Sequence, residues 1–356
     1  MDYDYLVVGA GLTGASIARL LTDAGKKVLV IDRRKQLGGN IYDELHPCGM
    51  RQHLYGPHYF RTGSDKVWEF VNRFSEWYDF RATVRVQYKN LSRPWPITKE
   101  WLDREFGKSW PRGLKKINGL PRNLEERCLQ LYPREVYDEI IKPYNVKQWG
   151  LEPKELLPGL CSRFAKRNER DGLTLSLKKY QGLPVYGYNR FIQNMLKDIP
   201  YVLENAHYKH LNGNPDHTIY SGPIDDYFGY RFGKLQYRAQ NRVTWMTYFG
   251  LDSVQLNTPR KDGGIRTVDW RYIQESFDKT VDALLTEEFP YTPEDPDRYE
   301  YPVPTAGNQI RYHLYRELAG EQKSITFCGR LGTYQYLDMD VAIEQAMEIV
   351  DKLIRK

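Results

Sequence analysis

Tyr5-Leu6-Val7-Val8-Gly9-Ala10-Gly11-Leu12-Thr13-Gly14 opens the unit that decides the fold of this 356-residue chain. Four consecutive apolar residues suit a buried strand, and the glycines that interrupt them suit a tight turn. Ala15 to Ala24 then carries Ile17, Leu20 and Leu21 at helical spacing until Gly25 stops the helix. Lys27-Val28-Leu29-Val30-Ile31 is a second strand, and it ends on Asp32. In this order Gly9 permits the turn, Gly11 lets the backbone approach a pyrophosphate, and Gly14 allows helix and strand to pack closely. The helix N-terminus offers N–H groups to the phosphates, and Asp32 stands where a carboxylate accepts hydrogen bonds from a ribose. The glycine pattern alone is weak evidence. The full strand, turn, helix, strand and acid context reads as a dinucleotide-binding unit.

Composition narrows the function. With 41% hydrophobic and 28% charged residues the chain is neither disordered nor fibrous. A net charge of +6 without a long Lys/Arg run gives no nucleic-acid arm and favours an anionic small molecule or nothing in particular. The 28 Tyr and 8 Trp can stack on bases and sugars, although an aromatic-rich core would use them equally well. Cys48, Cys128, Cys161 and Cys328 are far apart and form no C-x-x-C, which fits a reducing compartment and argues against a metal site. Met1 runs almost directly into the first strand, and no apolar run approaches about 18 residues. The expectation is a cytoplasmic protein with no signal peptide and no membrane contact.

Further along, Ser64 to Phe74 has the pattern of a capped amphipathic helix, Arg81 to Tyr88 alternates like a strand, and Arg93-Pro94-Trp95-Pro96-Ile97 breaks it. Lys99 to about Lys142 predicts a mostly helical insertion, and Asn145 to Asp171 a candidate mobile loop. Beyond Tyr180 come short β-like runs, His217 to Tyr220, Leu235 to Arg238 and Val243 to Tyr248. Ile325 to Gly329 and a closing helix from Val341 to Lys356 return the chain to its first domain. Gly38-Gly39-Asn40 follows the acidic strand end, as in flavoproteins of the amine-oxidase type, and so tilts the unit from NAD toward FAD; a simple Gly-Gly loop is the alternative.

Five separated segments, in order, resemble the UDP-galactopyranose mutase family. They are Tyr55 to Thr62, Tyr144 to Gly150, Tyr180 to Pro184 with Gly187-Tyr188, Gly222 to Arg231, and Gly329 to Asp340. The resemblance covers essentially the whole chain. It implies an α/β fold: a Rossmann-like FAD-binding domain with a helical insertion and an antiparallel β-sheet domain. The FAD-binding domain would be discontinuous, over residues 1–80, 186–235 and 308–356. The helical domain would cover 98–165 with a mobile loop near 154–171, and the sheet domain 81–97, 172–185 and 236–307.

The resemblance also implies an isomerase that interconverts UDP-galactopyranose and UDP-galactofuranose, for cell-surface polysaccharide biosynthesis. Its cofactor is reduced FAD, whose N5 acts as nucleophile at the anomeric carbon with no net redox change. A homodimer is implied as well. By motif position, Arg167 resembles the mobile-loop arginine that faces the departing diphosphate, with Arg170 as a competitor, and Arg266 resembles the second phosphate arginine. Arginine suits that task through its planar donor fork. His58 falls in the segment expected at the flavin, with a structural histidine as the alternative; Arg330 would stabilise an anionic reduced flavin, and Met339 follows it in the cofactor set. Tyr180 and Tyr336 match tyrosines that bind the diphosphate, and Tyr144, Asn145 and Trp149 match positions around the uridine and sugar. Asp338 would touch cofactor or sugar, or else cap the following helix.

Three departures qualify the match. Arg61 stands where galactose-specific members commonly have His and resembles the branch that also accepts UDP-N-acetylgalactosamine. Asn145 replaces the usual Thr near the base. The stretch after Glu300-Tyr301-Pro302-Val303-Pro304 is shortened, which leaves the family's third phosphate tyrosine unassigned, with Tyr312 as a guess. The readings in play are therefore this mutase, the same chemistry on UDP-N-acetylgalactosamine or another nucleotide-linked deoxysugar or heptose, and an amine-oxidase-type FAD oxidoreductase.

Overall fold

The computed structural model describes residues 3–164, 168, 173–204, 215–276 and 280–355. β1 (Tyr5–Val8) runs into α1 (Leu12–Asp23) and returns as β2 (Val28–Ile31), parallel to β1 with Val7 opposite Val30. Three short strands extend this into a five-stranded parallel sheet. Tyr201–Val202 lies beside β2, His217–Tyr220 beside β1, and Ile325–Phe327 at the far edge. Both faces of a parallel sheet are covered, which is why Val7, Val30 and Ile219 are fully buried. His217–Tyr220 thus belongs to the first sheet. Parallel partners are distant in sequence, and the pattern of a short run does not say which strand it joins. The closing helix, Met339–Ile354, starts two residues before the expected Val341 and packs on α1.

A second sheet has seven strands in the order Tyr301–Pro302, Tyr237–Thr247, Ala283–Tyr291, Arg266–Asp269, Gln255–Asn257, Val84–Tyr88 and Leu91–Trp95. It is antiparallel except where Gln255–Asn257 pairs with Val84–Tyr88. Two expectations change here. The separate runs near 235–238 and 243–248 fuse into the single strand Tyr237–Thr247, because the polar residues between them are held by the ladder to Ala283–Tyr291. Leu91–Trp95 is a strand in spite of Pro94. It lies at the sheet edge, where a missing N–H costs no ladder bond.

Between the sheets, Tyr180–Pro184 pairs with Phe60–Thr62 on one side and Trp77–Asp79 on the other. Ser64 caps the helix Asp65–Asn72 as expected, its Oγ accepting from Val67 N at 3.3 Å. The helical region packs Trp101, Leu102, Leu124, Tyr137 and Ile141 into one core with Val84, Val86 and Tyr88 of the second sheet. Asn145 to Trp149, expected in a loop, completes the helix Lys142–Trp149, which Gly150 closes in the left-handed region at φ 68°. Short 3-10 turns follow at Pro153–Glu155 and Pro158–Phe164.

Gly14 shows how tightly the first unit is built. A Cβ there would lie 1.9 Å from the Gly9 carbonyl oxygen, a backbone atom that cannot turn aside. Gly14→Ala should therefore lower Tm and reduce the amount of the expected dinucleotide, FAD, that co-purifies, read as the ratio of visible to protein absorbance. Wild-type values for both would mean that the turn is not as constrained as described.

Candidate functional site

Two cavities meet at the carboxyl end of the parallel sheet. Gly9, Gly11, Gly14, Asp32, Gly38, Gly39 and Asn40 line one end of the first, and Gly329, Arg330, Leu337 and Met339 the other. Asp32 fixes the end of β2 to the glycine turn: its Oδ2 accepts from Ala10 N at 2.7 Å and its Oδ1 from Arg34 N at 2.8 Å. The Gly38-Gly39 pair is part of the same floor. Gly38 N donates to Ala10 O at 2.9 Å, and a Cβ on Gly39 would reach within 2.9 Å of Gly11 Cα. No side chain caps α1, so its first-turn amides remain available to a ligand. A glycine floor, an uncapped helix start and an acid at the next strand end together fit FAD, with the pyrophosphate on α1 and a ribose toward Asp32.

The second cavity opens from the first at His58, Arg330, Leu337 and Met339, which line both. Among the described residues its walls carry five cations, Arg61, Arg163, Lys178, Arg266 and Arg330, against one carboxylate, Asp338. That imbalance, in a concave site, favours an anion. Beyond the cations lie Val84, Trp95, Pro96, Asn145, Gln148, Trp149, Gln255 and Asn257, an end built of aromatic rings and amides. Asn145 is buried, its Nδ2 donates to Ile141 O at 2.8 Å, and its Oδ1 has no partner among the described residues. An orphaned acceptor of this kind suits a donor on a ligand.

Arg266 sits on the strand Arg266–Asp269 with its Nε on the Glu288 carboxylate and Nη2 3.3 Å from Tyr301 Oη. Glu288 is fully buried and also accepts from Arg242 Nε at 3.0 Å. Arg242 in turn reaches both carboxylate oxygens of Glu300, at 2.9 and 2.8 Å. The flanking guanidiniums hold the Glu288 carboxyl below the ordinary range although burial alone pushes it up. Tyr336 is the centre of the opposite wall. The Arg163 guanidinium lies 3.4 Å and that of Arg330 4.7 Å from its ring centroid, and Tyr301 stacks on it at 5.4 Å. Arg330 donates to Glu300 O and Leu337 O, both at 2.9 Å, and has no carboxylate partner among the described residues.

Most of the expected site residues come together here. Tyr144, Asn145, Trp149, Arg61, Arg266, Tyr336 and Asp338 all line the second cavity. Asp338 is at the N-cap position of the closing helix but makes no side-chain cap; it turns to Arg61 Nη2 at 3.2 Å and Arg163 Nη2 at 3.5 Å instead. It lines the second cavity and not the first, among the cations. Tyr180 is not brought to either cavity. Its ring stacks on Trp68 at 5.0 Å and its hydroxyl donates to Asp65 at 2.7 Å. Arg167 and Arg170 lie outside the described residues.

Sequence reasoning missed Arg163, Lys178, Tyr301 and the buried Glu288. Arg163 was within the Ser162-Arg163-Phe164 segment, but motif position favoured the arginine further on. Tyr301 stood in a recognisable segment too, whereas Tyr312 packs beside Tyr334 in a separate apolar cluster. Glu288 carried no signal, since an acid in a strand reads as solvent-facing.

His58 sits at the junction, its Nδ1 2.7 Å from Gly56 O. A carbonyl only accepts, so the proton is on Nδ1 and Nε2 is left as an acceptor. Burial, and then the nearby Arg330 charge, push its pKa down to about 3. The folded value lies below the unfolded one, so the stability from keeping the ring neutral is complete above 6.5 and is lost as pH falls toward 3. His58→Gln should lessen the fall in unfolding free energy between about pH 6.5 and 5 by about 1–2 kcal/mol. Urea titrations at the two pH values check this, and an unchanged difference would place the buried proton linkage elsewhere.

The chain is similar to proteins of known type along its whole length. A UDP-galactopyranose mutase family profile matches residues 139–336, and one for an NAD(P)-binding Rossmann-like domain matches residues 7–74. The "Probable UDP-galactopyranose mutase" of Klebsiella pneumoniae is 32% identical, over 98% of this chain and 94% of its own. The dTDP-fucopyranose mutase of Escherichia coli is 30% identical over 98% of both chains. Among solved structures, a reduced UDP-galactopyranose mutase superposes at a TM-score of 0.80 with 15% identity, covering 100% of this chain and 94% of the other. A redesigned putrescine oxidase reaches 0.65 with 12% identity, covering both chains entirely. The amine-oxidase likeness is one of fold. Sequence, site and fold agree that the chain belongs to the UDP-galactopyranose mutase family, flavin-dependent isomerases of nucleotide sugars.

Proposed function

We propose that this protein converts UDP-galactopyranose to UDP-galactofuranose, with reduced FAD in the first cavity and the sugar nucleotide in the second. The observation that carries this reading is the cation-lined cavity opening onto the glycine-floored one at His58 and Arg330. Reduced FAD would supply the nucleophile for the anomeric carbon and recover it each turnover, with no electrons consumed.

The chain's own groups then have distinct tasks. Arg266, Arg163, Tyr301 and Tyr336 hold the diphosphate and take up the negative charge that grows on it as the anomeric bond breaks. Arg266 does so while braced by Glu288, so its fork is oriented before substrate arrives. Arg330 adds positive charge at the junction, and uncharged His58 offers Nε2 there as an acceptor without adding a competing cation. Trp149, Tyr144 and the amides of Asn145 and Asn257 form the end that suits a pyrimidine and its ribose. Arg61, paired with Asp338, faces the sugar region.

The substrate has a second reading. The dTDP-fucopyranose mutase of Escherichia coli matches end to end at an identity close to that of the Klebsiella relative, which favours a deoxysugar on dTDP as the alternative. UDP-N-acetylgalactosamine is the other, suggested by Arg61. An anaerobic assay with dithionite and the three furanose nucleotides, scored by ring form, separates them: kcat/KM should be highest for the UDP-galactose pair. A higher value for the dTDP-fucose pair would move the assignment there, and turnover with oxidised flavin alone would overturn mutase chemistry altogether.

Side-chain roles have their own test. Arg266→Lys keeps the charge but loses the fork, and should lower kcat/KM by about a hundredfold. Arg163→Ala should lose at least about tenfold. Near wild-type rates for Arg163→Ala together with a severe loss for Arg167→Ala would return the task to Arg167.

A further inference from the structure

Cys128 and Cys161, 33 residues apart, end up with their sulfurs 3.4 Å from one another. Cys128 is on the helix Leu124–Leu129, and Cys161 is in the 3-10 segment Pro158–Phe164 that packs against it. Both are buried, in an apolar cluster with Leu124, Leu129 and Tyr132. Cys161 lies two residues before Arg163, whose guanidinium rests on the Tyr336 ring and beside Asp338. A disulfide requires the sulfurs to approach by roughly 1.4 Å more, a distance that side-chain rotation can supply. Of the other two thiols, Cys328 is buried and Cys48 is exposed beside His46, and neither has a second sulfur in reach among the described residues.

We infer that Cys128 and Cys161 are a site of reversible oxidation, closing to a disulfide that tethers the Arg163 segment to the helix Leu124–Leu129. Either sulfur can donate in this contact; with Cys128 as the donor, the hydrogen bond holds the Cys161 thiol below its ordinary range. Cys161 is then the sulfur that attacks. With hydrogen peroxide as oxidant, Cys161 thiolate takes one oxygen to become a sulfenic acid and releases hydroxide. The Cys128 sulfur then attacks the sulfenic sulfur; the S–S bond forms, the S–O bond breaks and water leaves. Two thiols lose two electrons in total, and peroxide becomes two waters. In a reducing compartment the dithiol is the resting form and the disulfide a response to oxidant. The consequence for nucleotide release rests on the reading of Arg163 as a diphosphate ligand; the bond itself does not.

The test uses the flavin-loaded Cys48→Ser protein, which removes the exposed thiol. Peroxide treatment should reduce the thiol count in denaturant from three to one. It should also give a linked peptide containing Cys128 and Cys161, raise Tm and slow UDP release several-fold, all reversed by dithiothreitol. Cys161→Ser and Cys128→Ser, each in the same background, should show none of these changes while keeping their starting Tm on peroxide treatment. Recovery of both cysteines as thiols under peroxide levels that do oxidise Cys48 in the parent protein would overturn the site. A linked peptide with Tm and UDP release both unchanged would overturn the tether. Failure of UDP to bind the reduced protein would count against the proposed function and leave the mass and Tm readouts to decide the disulfide.

Discussion

Glu288 is the constraint on which the second cavity depends. The Arg266 guanidinium, largely out of water on the cavity wall, needs a counter-charge, and here a single buried carboxylate serves both Arg266 and Arg242, with Glu300 balancing the second arginine. Removing one partner of such a group typically costs about 3–5 kcal/mol, since an uncompensated charge is left behind. The network also spans the sheet: Glu288 comes from Ala283–Tyr291, Arg242 from Tyr237–Thr247 and Arg266 from Arg266–Asp269. Strand register therefore sets the aim of the arginine that faces the anion. Arg266 is opposite Glu288 in the ladder itself.

The rest of the positive field is held differently. Arg61 and Arg163 share Asp338, and Lys178 contacts Asp340, so these cations are partly neutralised. Among the described residues Arg330 donates only to backbone carbonyls, and it lies where the two cavities join. In the proposed reading, that unneutralised charge faces the flavin on one side and the sugar diphosphate on the other. The fold is shared with a putrescine oxidase, so the first cavity does not separate a mutase from an oxidase. In the same reading, the arginine and tyrosine walls of the second cavity make the difference.

The opening unit was legible because its glycines, helix period and terminal acid are local and reinforce one another. Ser64 and its helix were legible for the same reason. The run His217–Tyr220 does not by itself tell which strand lies alongside, and Pro94 misled because edge position is a property of the sheet and not of the run. The site followed the same division. Arg266, Tyr144, Trp149 and Tyr336 came from motifs, whereas Glu288 and Arg242 act only through cross-strand neighbours. Cys128 and Cys161 looked unrelated in sequence and meet only in the packed helical region.

In the proposed reaction the bond between the anomeric carbon and the diphosphate breaks and re-forms while the diphosphate stays bound among Arg266, Arg163 and Tyr336. It is tested most directly with a UDP-sugar carrying heavy oxygen in the bridge between anomeric carbon and phosphorus. Under anaerobic turnover with dithionite, the label should spread into the non-bridging oxygens of the β-phosphate. Retention of all label in the bridge of the isomerised product would contradict the account.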